Sequence, residues 1–305
     1  YTTLWNTLGL MVETHMLKPY KRRVVGTYQV MTGIIDIAEN DTKKIKALRK
    51  KAAANHINWK TYPLQWVVDT TKVSLLNFKG YEADTLKSEV TGFPRLAYDR
   101  SRPFTKKVPY KNHYVATHSV KIPKAYVIKK GWSKIIDLLE LNGIEYSTLE
   151  KDTILSVESY TIENYKTAQN VYEGHYPHYD TQVSKVMDKV AFLEGDYMVQ
   201  TDQPGIRYLL ETMEPEAMDS FFNWNFFDTI LERKEDFSPY VFEDKALELL
   251  KEDEALREQF LFKKGTDKEF AANWYVQLDW IFKRSEHYEP SHMQYPVYRI
   301  PLDGM

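Results

Sequence analysis

Glu13 is the residue of this sequence whose type and position most clearly suggest chemistry. It follows a short apolar run, Leu8-Gly9-Leu10-Met11-Val12. A continuous apolar run of this length indicates a buried strand. Because ligands of open α/β sheets bind beyond the carboxyl ends of the strands, a carboxylate at this position lies where a substrate could reach it. The alternative is that Glu13 forms an ion pair with Lys18 or Arg22 at the sheet edge.

A second group of chemically capable side chains is the run His175-Tyr176-Pro177-His178-Tyr179-Asp180. Two imidazoles and a carboxylate could hold zinc. However, Pro177 favours an extended turn between the two histidines, and three ligands so close in sequence need a distant fourth to close a site. A tyrosine-rich loop with solvated histidines is therefore the favoured interpretation.

Other catalytic signatures are missing from the 305 residues. There is no helical His-Glu-x-x-His pair, no His-x-x-Glu pair, no Gly-x-Ser-x-Gly elbow and no phosphate-binding Gly-x-x-x-x-Gly-Lys loop. The sequence also contains no cysteine, which excludes disulfides, zinc–thiolate ligation and a cysteine nucleophile. These features disfavour serine hydrolases and nucleotide-binding proteins.

Composition restricts the possible partners. Hydrophobic residues make up 43% and charged residues 28%, which is typical of globular domains with substantial cores. The formal net charge of −2 gives no strong field for a nucleic acid, so we expect no nucleic-acid partner. Aromatic residues reach 14%, which indicates aromatic-rich cores or, as the alternative, grooves that bind sugars or peptides.

Targeting segments are not evident in the sequence. No apolar run approaches the roughly 18 residues of a membrane span, so we predict no transmembrane helix. The first residues, Tyr1 to Leu8, lack the basic and apolar regions of a signal peptide, and the sequence does not start with Met. We therefore expect the chain to be a cut or processed piece of a longer protein.

Three different sequence patterns follow one another along the chain, and the elements that they predict must position these side chains. Apolar residues recur at helical spacing from Val24 to Ala52, whereas the stretch from Trp59 to about Ser119 is β-prone and punctuated by Gly and Pro. A strand at Ala125–Ile128, a helix at Trp132–Leu141 and a strand at Ile144–Tyr146 then form a βαβ pattern with an expected right-handed crossover.

Further elements are predicted in the last third. They are strands at Ile154–Ile162 and Lys189–Gln200, helices at Pro204–Met213 and Phe242–Phe262, and an extended piece at Tyr295–Ile300. The fold class is therefore α/β and α+β. We predict three parts: a terminal strand and helix of an α/β domain at 1–57, a β-rich module at 58–120, and a small βαβ-containing α/β domain with a helical tail at 121–305.

The run Leu8–Val24 resembles the last catalytic strand and following helix of carboxypeptidase A-like zinc metallopeptidases, specifically their bacterial branch. Later segments resemble the extra carboxy-terminal region of that branch. These segments are Pro123–Ile128, Leu138–Ile144, Leu210–Ser220, Trp224–Asp228 and Tyr295–Arg299. Individually they are weak motifs, but they occur in the family's order and touch most of the chain.

The resemblance implies that Glu13 is the catalytic carboxylate, which would take a proton from a zinc-bound water and deliver it to the leaving amine. It implies a peptide substrate and an extracytoplasmic (periplasmic or secreted) location. The lack of cysteine fits an oxidising compartment and a cytoplasm equally well. The family's zinc ligands, a His-x-x-Glu pair and a further histidine, precede this strand and do not occur in these residues.

The chain alone is therefore expected to bind no zinc and to be inactive. Zinc and hydrolysis would belong to a parent protein, whose missing amino-terminal catalytic portion would be the partner of this chain. The alternative is a non-catalytic accessory module that binds peptide or glycan or has a structural role.

Overall fold

The structure is a computed structural model, and it describes residues 1–56, 59–233 and 235–302. These residues form two compact units. The main unit comprises Tyr1–Ile57 with Pro123–Met305, and the hairpin unit comprises Asn58–Ile122. The chain has the mixed α/β character that the sequence indicates. The predicted division into three parts stays a prediction. In the part of the chain that the structure describes, no helix is both long and apolar enough to cross a bilayer.

Two consecutive helices form most of the amino-terminal segment, where the helical spacing predicts a single one. Helix α1 spans Tyr20–Asn40 and helix α2 spans Thr42–Asn55, and Asp41 separates them. Helix α1 begins directly after Pro19, whose fixed φ suits a helix start. Neither helix buries a side chain, although α1 carries many apolar residues.

The predicted buried strand before α1 is wrong for this structure. Residues 7–15 contain neither helix nor strand, and a short 3₁₀ helix at Thr2–Trp5 precedes them. Leu8, Leu10 and Met11 are exposed, Met11 by 81%. A strand needs a neighbour that satisfies its backbone hydrogen bonds, and none of the described strands pairs with this run. Five apolar residues therefore do not fix a strand by themselves.

The hairpin unit confirms the β-rich stretch. Its strands are β1 (Thr61–Val68), β2 (Ser74–Lys87), β3 (Pro94–Tyr110) and β4 (Tyr114–Lys121). Strand β1 pairs with β4, and β2 pairs with β3, both in antiparallel register. The buried apolar side chains of this unit are Tyr62, Leu64, Val120 and Ile122. Tyr62 and Leu64 lie in the first half of β1, whereas Val120 and Ile122 lie at the end of β4 or just after it. No residue of the long β2–β3 ribbon is buried.

The main unit contains a six-stranded sheet. Its strands are β5 (Ala125–Ile128), β6 (Ser147–Thr148), β7 (Thr153–Thr167), β8 (His178–Phe192), β9 (Tyr197–Gln200) and β10 (Val297–Ile300). The spatial order is β6-β9-β5-β10-β7-β8, and every pairing is antiparallel. The predicted strands at 125–128, 154–162 and 295–300 are thus confirmed. The predicted strand at 189–200 is interrupted by a turn between β8 and β9.

The predicted βαβ pattern is confirmed only in part. Helix α3 spans Ser133–Leu141 and ends where Gly143 adopts a φ of 70°, a conformation that suits glycine. The next strand is β6, not the predicted Ile144–Tyr146. Strand β9 lies between β5 and β6, so these two strands run in the same direction without being neighbours.

The remaining helices are α4 (Ile206–Met213), α5 (Pro239–Glu252), α6 (Glu254–Thr266), α7 (Lys268–Ala272) and α8 (Trp274–Phe282). Helix α4 confirms the prediction for 204–213. The single helix predicted at 242–262 is instead two helices, because Asp253 leaves the helical conformation and its side chain accepts a hydrogen bond from the Leu256 amide. Apolar residues of α5 to α8, including Phe242, Phe260 and Ile281, form one buried cluster.

Candidate functional site

Glu13 lies in the exposed segment before α1. The imidazole Nδ1 of His15 accepts a hydrogen bond from the Leu17 amide at 3.2 Å, which closes a turn just after Glu13. Among the described residues, no ion pair joins Glu13 to Lys18 or Arg22, the partners that a purely structural role would give it. The structure therefore leaves the chemical role of Glu13 as a prediction.

Glu13 and His15 do not form a metal site. Across residues 1–56, 59–233 and 235–302, no three His, Asp or Glu side chains are grouped so that they could hold a metal ion. A protein zinc site needs three or four such ligands. The described residues consequently offer no set of ligands for a catalytic zinc ion.

The histidine run separates into two different environments. His178 is buried, and its Nε2 lies 3.0 Å from Asp228 Oδ1 while its Nδ1 lies 2.9 Å from the Thr167 hydroxyl. Its ring also packs against Phe222 and Tyr165. Both ring nitrogens thus have polar partners, and the predicted solvated histidine is wrong for His178. Asp228 comes from a distant loop that spacing within the run could not reveal.

His175 lies instead among aromatic rings. Its imidazole is edge-on to Trp224, with centroids 5.5 Å apart, and 5.8 Å from the ring of Phe226. Tyr172 also packs against Trp224, and the centroids of these two rings are 6.1 Å apart. We call these four residues, Tyr172, His175, Trp224 and Phe226, the aromatic strip. It combines the β7–β8 connection with the loop after α4.

Unusual backbone conformations occur around the aromatic strip. Glu173, Asp180 and Asn225 adopt positive φ angles of 50°, 53° and 65°. Such angles are uncommon for residues other than glycine. The Asn225 amide nitrogen lies within 3.2 Å of His178 Nε2 and Asp228 Oδ2 and donates to the Tyr176 carbonyl at 3.0 Å. This amide therefore ties the two loops together.

A second polar cluster lies inside the main unit. Glu214 is fully buried and accepts hydrogen bonds from the Tyr126 hydroxyl at 2.6 Å and the Tyr160 hydroxyl at 3.2 Å. The Nε atom of Arg299 lies 3.0 Å from the same carboxylate, and Arg299 also contacts Glu158. Burial raises the pKa of Glu214 to about 7, while the two tyrosine hydroxyls act in the opposite direction.

The Glu214 cluster joins elements that are distant in sequence, since its members lie on β5, β7 and β10 and after α4. Sequence reasoning did not find it. Glu214 stands among other acidic residues in Met213-Glu214-Pro215-Glu216, and nothing in its neighbours distinguishes a buried carboxylate from an exposed one. Its position in a packed interior favours a structural role.

An open cleft of about 730 Å³ lies between the loop before α5 and the segment after α8. Acidic side chains dominate its lining, including Glu232, Asp236 and Glu289. Arg233 bridges Asp236 at 2.6 Å and Asp279 at 2.9 Å, so part of this negative charge is already compensated.

Comparison with known proteins gives one similarity. A stretch of 100 residues is 28% identical to proteins named carboxypeptidase 2 from Trichophyton tonsurans, Trichophyton rubrum and Trichophyton equinum. The stretch covers 32% of this chain and 18% of each fungal protein, so the chain matches less than a fifth of the length of these relatives. No family model matches the chain. No solved structure matches it either. About a third of the chain is thus similar to part of these proteins named carboxypeptidase 2.

Proposed function

We propose that this chain is the carboxy-terminal portion of a zinc metallocarboxypeptidase, in which peptide hydrolysis belongs to the parent protein. The observation that carries this proposal is the 100-residue similarity to fungal proteins named carboxypeptidase 2. The order of family-like segments from Leu8–Val24 to Tyr295–Arg299 supports it. The bacterial branch belongs to the proposal as well, although the relatives found are fungal.

The apolar surface of the amino-terminal segment supports a missing partner. Met16, Leu17, Tyr28 and Ile35 are each more than 60% exposed, and neighbouring apolar residues share this exposure. Large exposed apolar surfaces often mark the places where another part of a protein or a partner binds. We propose that the remainder of a carboxypeptidase α/β domain covers it, with residues 8–12 then gaining the strand neighbours that they lack.

The same proposal assigns the parts of the chain. Residues 1–57 are the last strand and helix of the catalytic domain, 58–120 a β-rich module, and 121–305 an accessory α/β domain with a helical tail. The parent acts outside the cytoplasm, in the periplasm or as a secreted protein, which fractionation of the producing cells would test.

Glu13 is the catalytic carboxylate in this proposal. Glu13→Gln in the parent protein keeps the size of the side chain but cannot accept a proton. We expect the rate of release of a carboxy-terminal amino acid from a peptide to fall by about 10²–10⁴-fold, the usual contribution of a general base. Zinc content, measured by atomic absorption, is expected to stay unchanged.

The matched control is Glu39→Gln, which changes an exposed carboxylate near the end of α1. This variant should retain full activity. Undiminished hydrolysis in Glu13→Gln would remove Glu13 from the mechanism. A parent protein without zinc or without peptidase activity would remove the proposed function itself.

The alternative function, a non-catalytic module that binds peptide or glycan or has a structural role, is favoured by one observation. The aromatic strip places exposed rings beside polar groups in a part of the chain that has no role in the hydrolysis proposed above.

A further inference from the structure

The rings of the aromatic strip are accessible and differ in exposure. Tyr172 is 62% exposed and Phe226 is 36% exposed, whereas His175 and Trp224 are half-buried. The planes of Tyr172 and Trp224 are tilted by 42° to each other, so the two rings form a shallow, curved surface. Trp224 contacts both Tyr172 and His175, and His175 also contacts Phe226, so the four rings form a row of successive contacts.

The position of the strip is fixed by polar contacts beneath it. The indole Nε1 of Trp224 donates to Asp219 Oδ1 at 3.2 Å, which sets the orientation of the ring. His175 and Tyr172 close a tight turn through reciprocal backbone hydrogen bonds of 2.8 and 2.9 Å. The Asn225 amide holds the second loop against the first. A surface fixed in advance loses little conformational entropy when a ligand binds.

The polar groups beside the rings are mainly hydrogen-bond acceptors. Asp219 accepts from Trp224 through one oxygen, whereas Asp228 contacts His178 through Oδ1 and accepts from the Asn225 side chain through Oδ2. Each carboxylate oxygen has two lone pairs, so both residues can still accept further hydrogen bonds. The Thr167 side chain is exposed and can both donate and accept. Lys166, the neighbouring cation, is paired with Asp180 at 2.7 Å. A ligand here should therefore carry hydroxyl donors and no negative charge.

Two ligand classes carry suitable donors: neutral sugars and cationic groups. A cation binds best when aromatic faces surround it. In the aromatic strip the rings lie in sequence, and His175 presents its ring edge-on to Trp224. A pyranose ring has an apolar face that can lie on an aromatic ring and hydroxyls at its edge that reach carboxylates. The arrangement favours the sugar.

We propose that the aromatic strip is a binding site for a neutral, pyranose-containing oligosaccharide. Tyr172 and Trp224 supply the stacking surface, and Asp219 and Asp228 accept hydrogen bonds from sugar hydroxyls. His178 fixes the positions of Asp228 and Thr167 through its two ring nitrogens. The site is independent of Glu13 and of hydrolysis, so its failure would leave the proposed peptidase origin of the chain untouched.

The test is isothermal titration calorimetry on the full 305-residue chain. The neutral probes are cellohexaose, maltohexaose and mannohexaose, and the charged probes are hexalysine and hexagalacturonate. We expect saturable binding of at least one neutral probe and none of the anionic one. Tyr172→Ala should weaken this binding by about tenfold, the effect of losing one stacked ring. Asp219→Asn should weaken it as well.

The matched control is Tyr240→Ala, which removes another exposed tyrosine, 83% accessible and on helix α5. This variant should bind as the unchanged chain does, and all variants should share its circular dichroism spectrum. Absence of binding to all three neutral sugars would overturn the proposal. So would binding of hexalysine alone, or an equal loss of affinity in Tyr172→Ala and Tyr240→Ala.

Discussion

Glu214 is the residue whose environment is least apparent from its type. Its carboxylate receives two tyrosine hydroxyls and faces Arg299, all in the interior of the main unit. A buried charge is costly unless each of its hydrogen-bonding positions is occupied. The cluster therefore acts as a specific connection between the sheet and the segment that follows α4.

Removal of this carboxylate should strongly destabilise the main unit. In Glu214→Leu, Tyr126, Tyr160 and Arg299 lose a buried acceptor, and the free energy of unfolding should fall by about 3–5 kcal/mol. Urea denaturation followed by circular dichroism measures this change. Glu214→Gln keeps one acceptor oxygen and should lose less. Equal stability of the Leu variant and the unchanged chain would contradict a structural role for the cluster.

Glu13 and His178 differ in how far the structure tests the prediction made for them. Glu13 was singled out by its position after an apolar run and by a family resemblance. Its surroundings within this chain neither support nor exclude a catalytic role. His178 was predicted to be solvated because Pro177 favours an extended turn, yet it is buried against Phe222, about 45 residues away in the sequence. Such long-range partners are invisible to local patterns.

At the scale of elements, short polar residues decide where the helices of the tail begin. Asp253, Asp267 and Asn273 each accept a hydrogen bond from a backbone amide of the helix that follows. The cap at Asp253 divides the helix predicted at 242–262 into α5 and α6, and the caps at Asp267 and Asn273 begin the short helices α7 and α8. The shared core of α5 to α8 depends on these breaks.

The cap at Asp253 can be tested directly. Asp253→Ala removes the acceptor for the Leu256 amide, which lies 2.9 Å from the carboxylate, and should lower the free energy of unfolding by about 1 kcal/mol. Chemical denaturation measures it. Asp244→Ala, an exposed site within α5, is the control and should change stability by less than about 0.5 kcal/mol. Indistinguishable variants would show that the cap contributes nothing.

Helix α1 presents a different problem at the same scale. Its apolar residues predicted the helix correctly, but no described part of the main unit buries them. Helical periodicity predicts an apolar face, but it does not identify the part of the protein that packs against that face. This is why the proposed catalytic portion is the natural partner of α1.

At the scale of the whole molecule, the two units differ in how many side chains they bury. The main unit has a sheet core with Val127, Val157 and Phe192 and a separate helical core. The hairpin unit buries side chains only at one end. An isolated two-stranded ribbon is at best marginally stable in water, so the β2–β3 ribbon adds little to the fold of this chain.

The ribbon should therefore be removable. We predict that replacing residues 70–112 with Asn-Gly leaves the melting temperature almost unchanged, because Val68 and Tyr114 are already paired and Asn-Gly forms a tight hairpin turn. Differential scanning calorimetry measures it. Adding Tyr62→Ala, which deletes a buried ring, should lower the melting temperature and shows that the assay responds. Loss of the cooperative transition on ribbon removal alone would contradict the prediction.

The sequence by itself determined the local elements of this protein. Periodicity located the helical segment that holds α1 and α2, Pro204 and Gly205 located the start of α4, and glycine located the end of α3. These features depend on the propensities and spacing of residues that are close together in the sequence, so they can be read from it directly.

Only the tertiary structure decided which elements meet. It inserted β9 between β5 and β6, left residues 8–12 without a strand neighbour, buried Glu214 and brought the loop around Trp224 to the turn at Tyr172. Each of these results depends on pairings between segments tens of residues apart. Pairing energies of that kind are shared among many competing partners, and no local pattern ranks them.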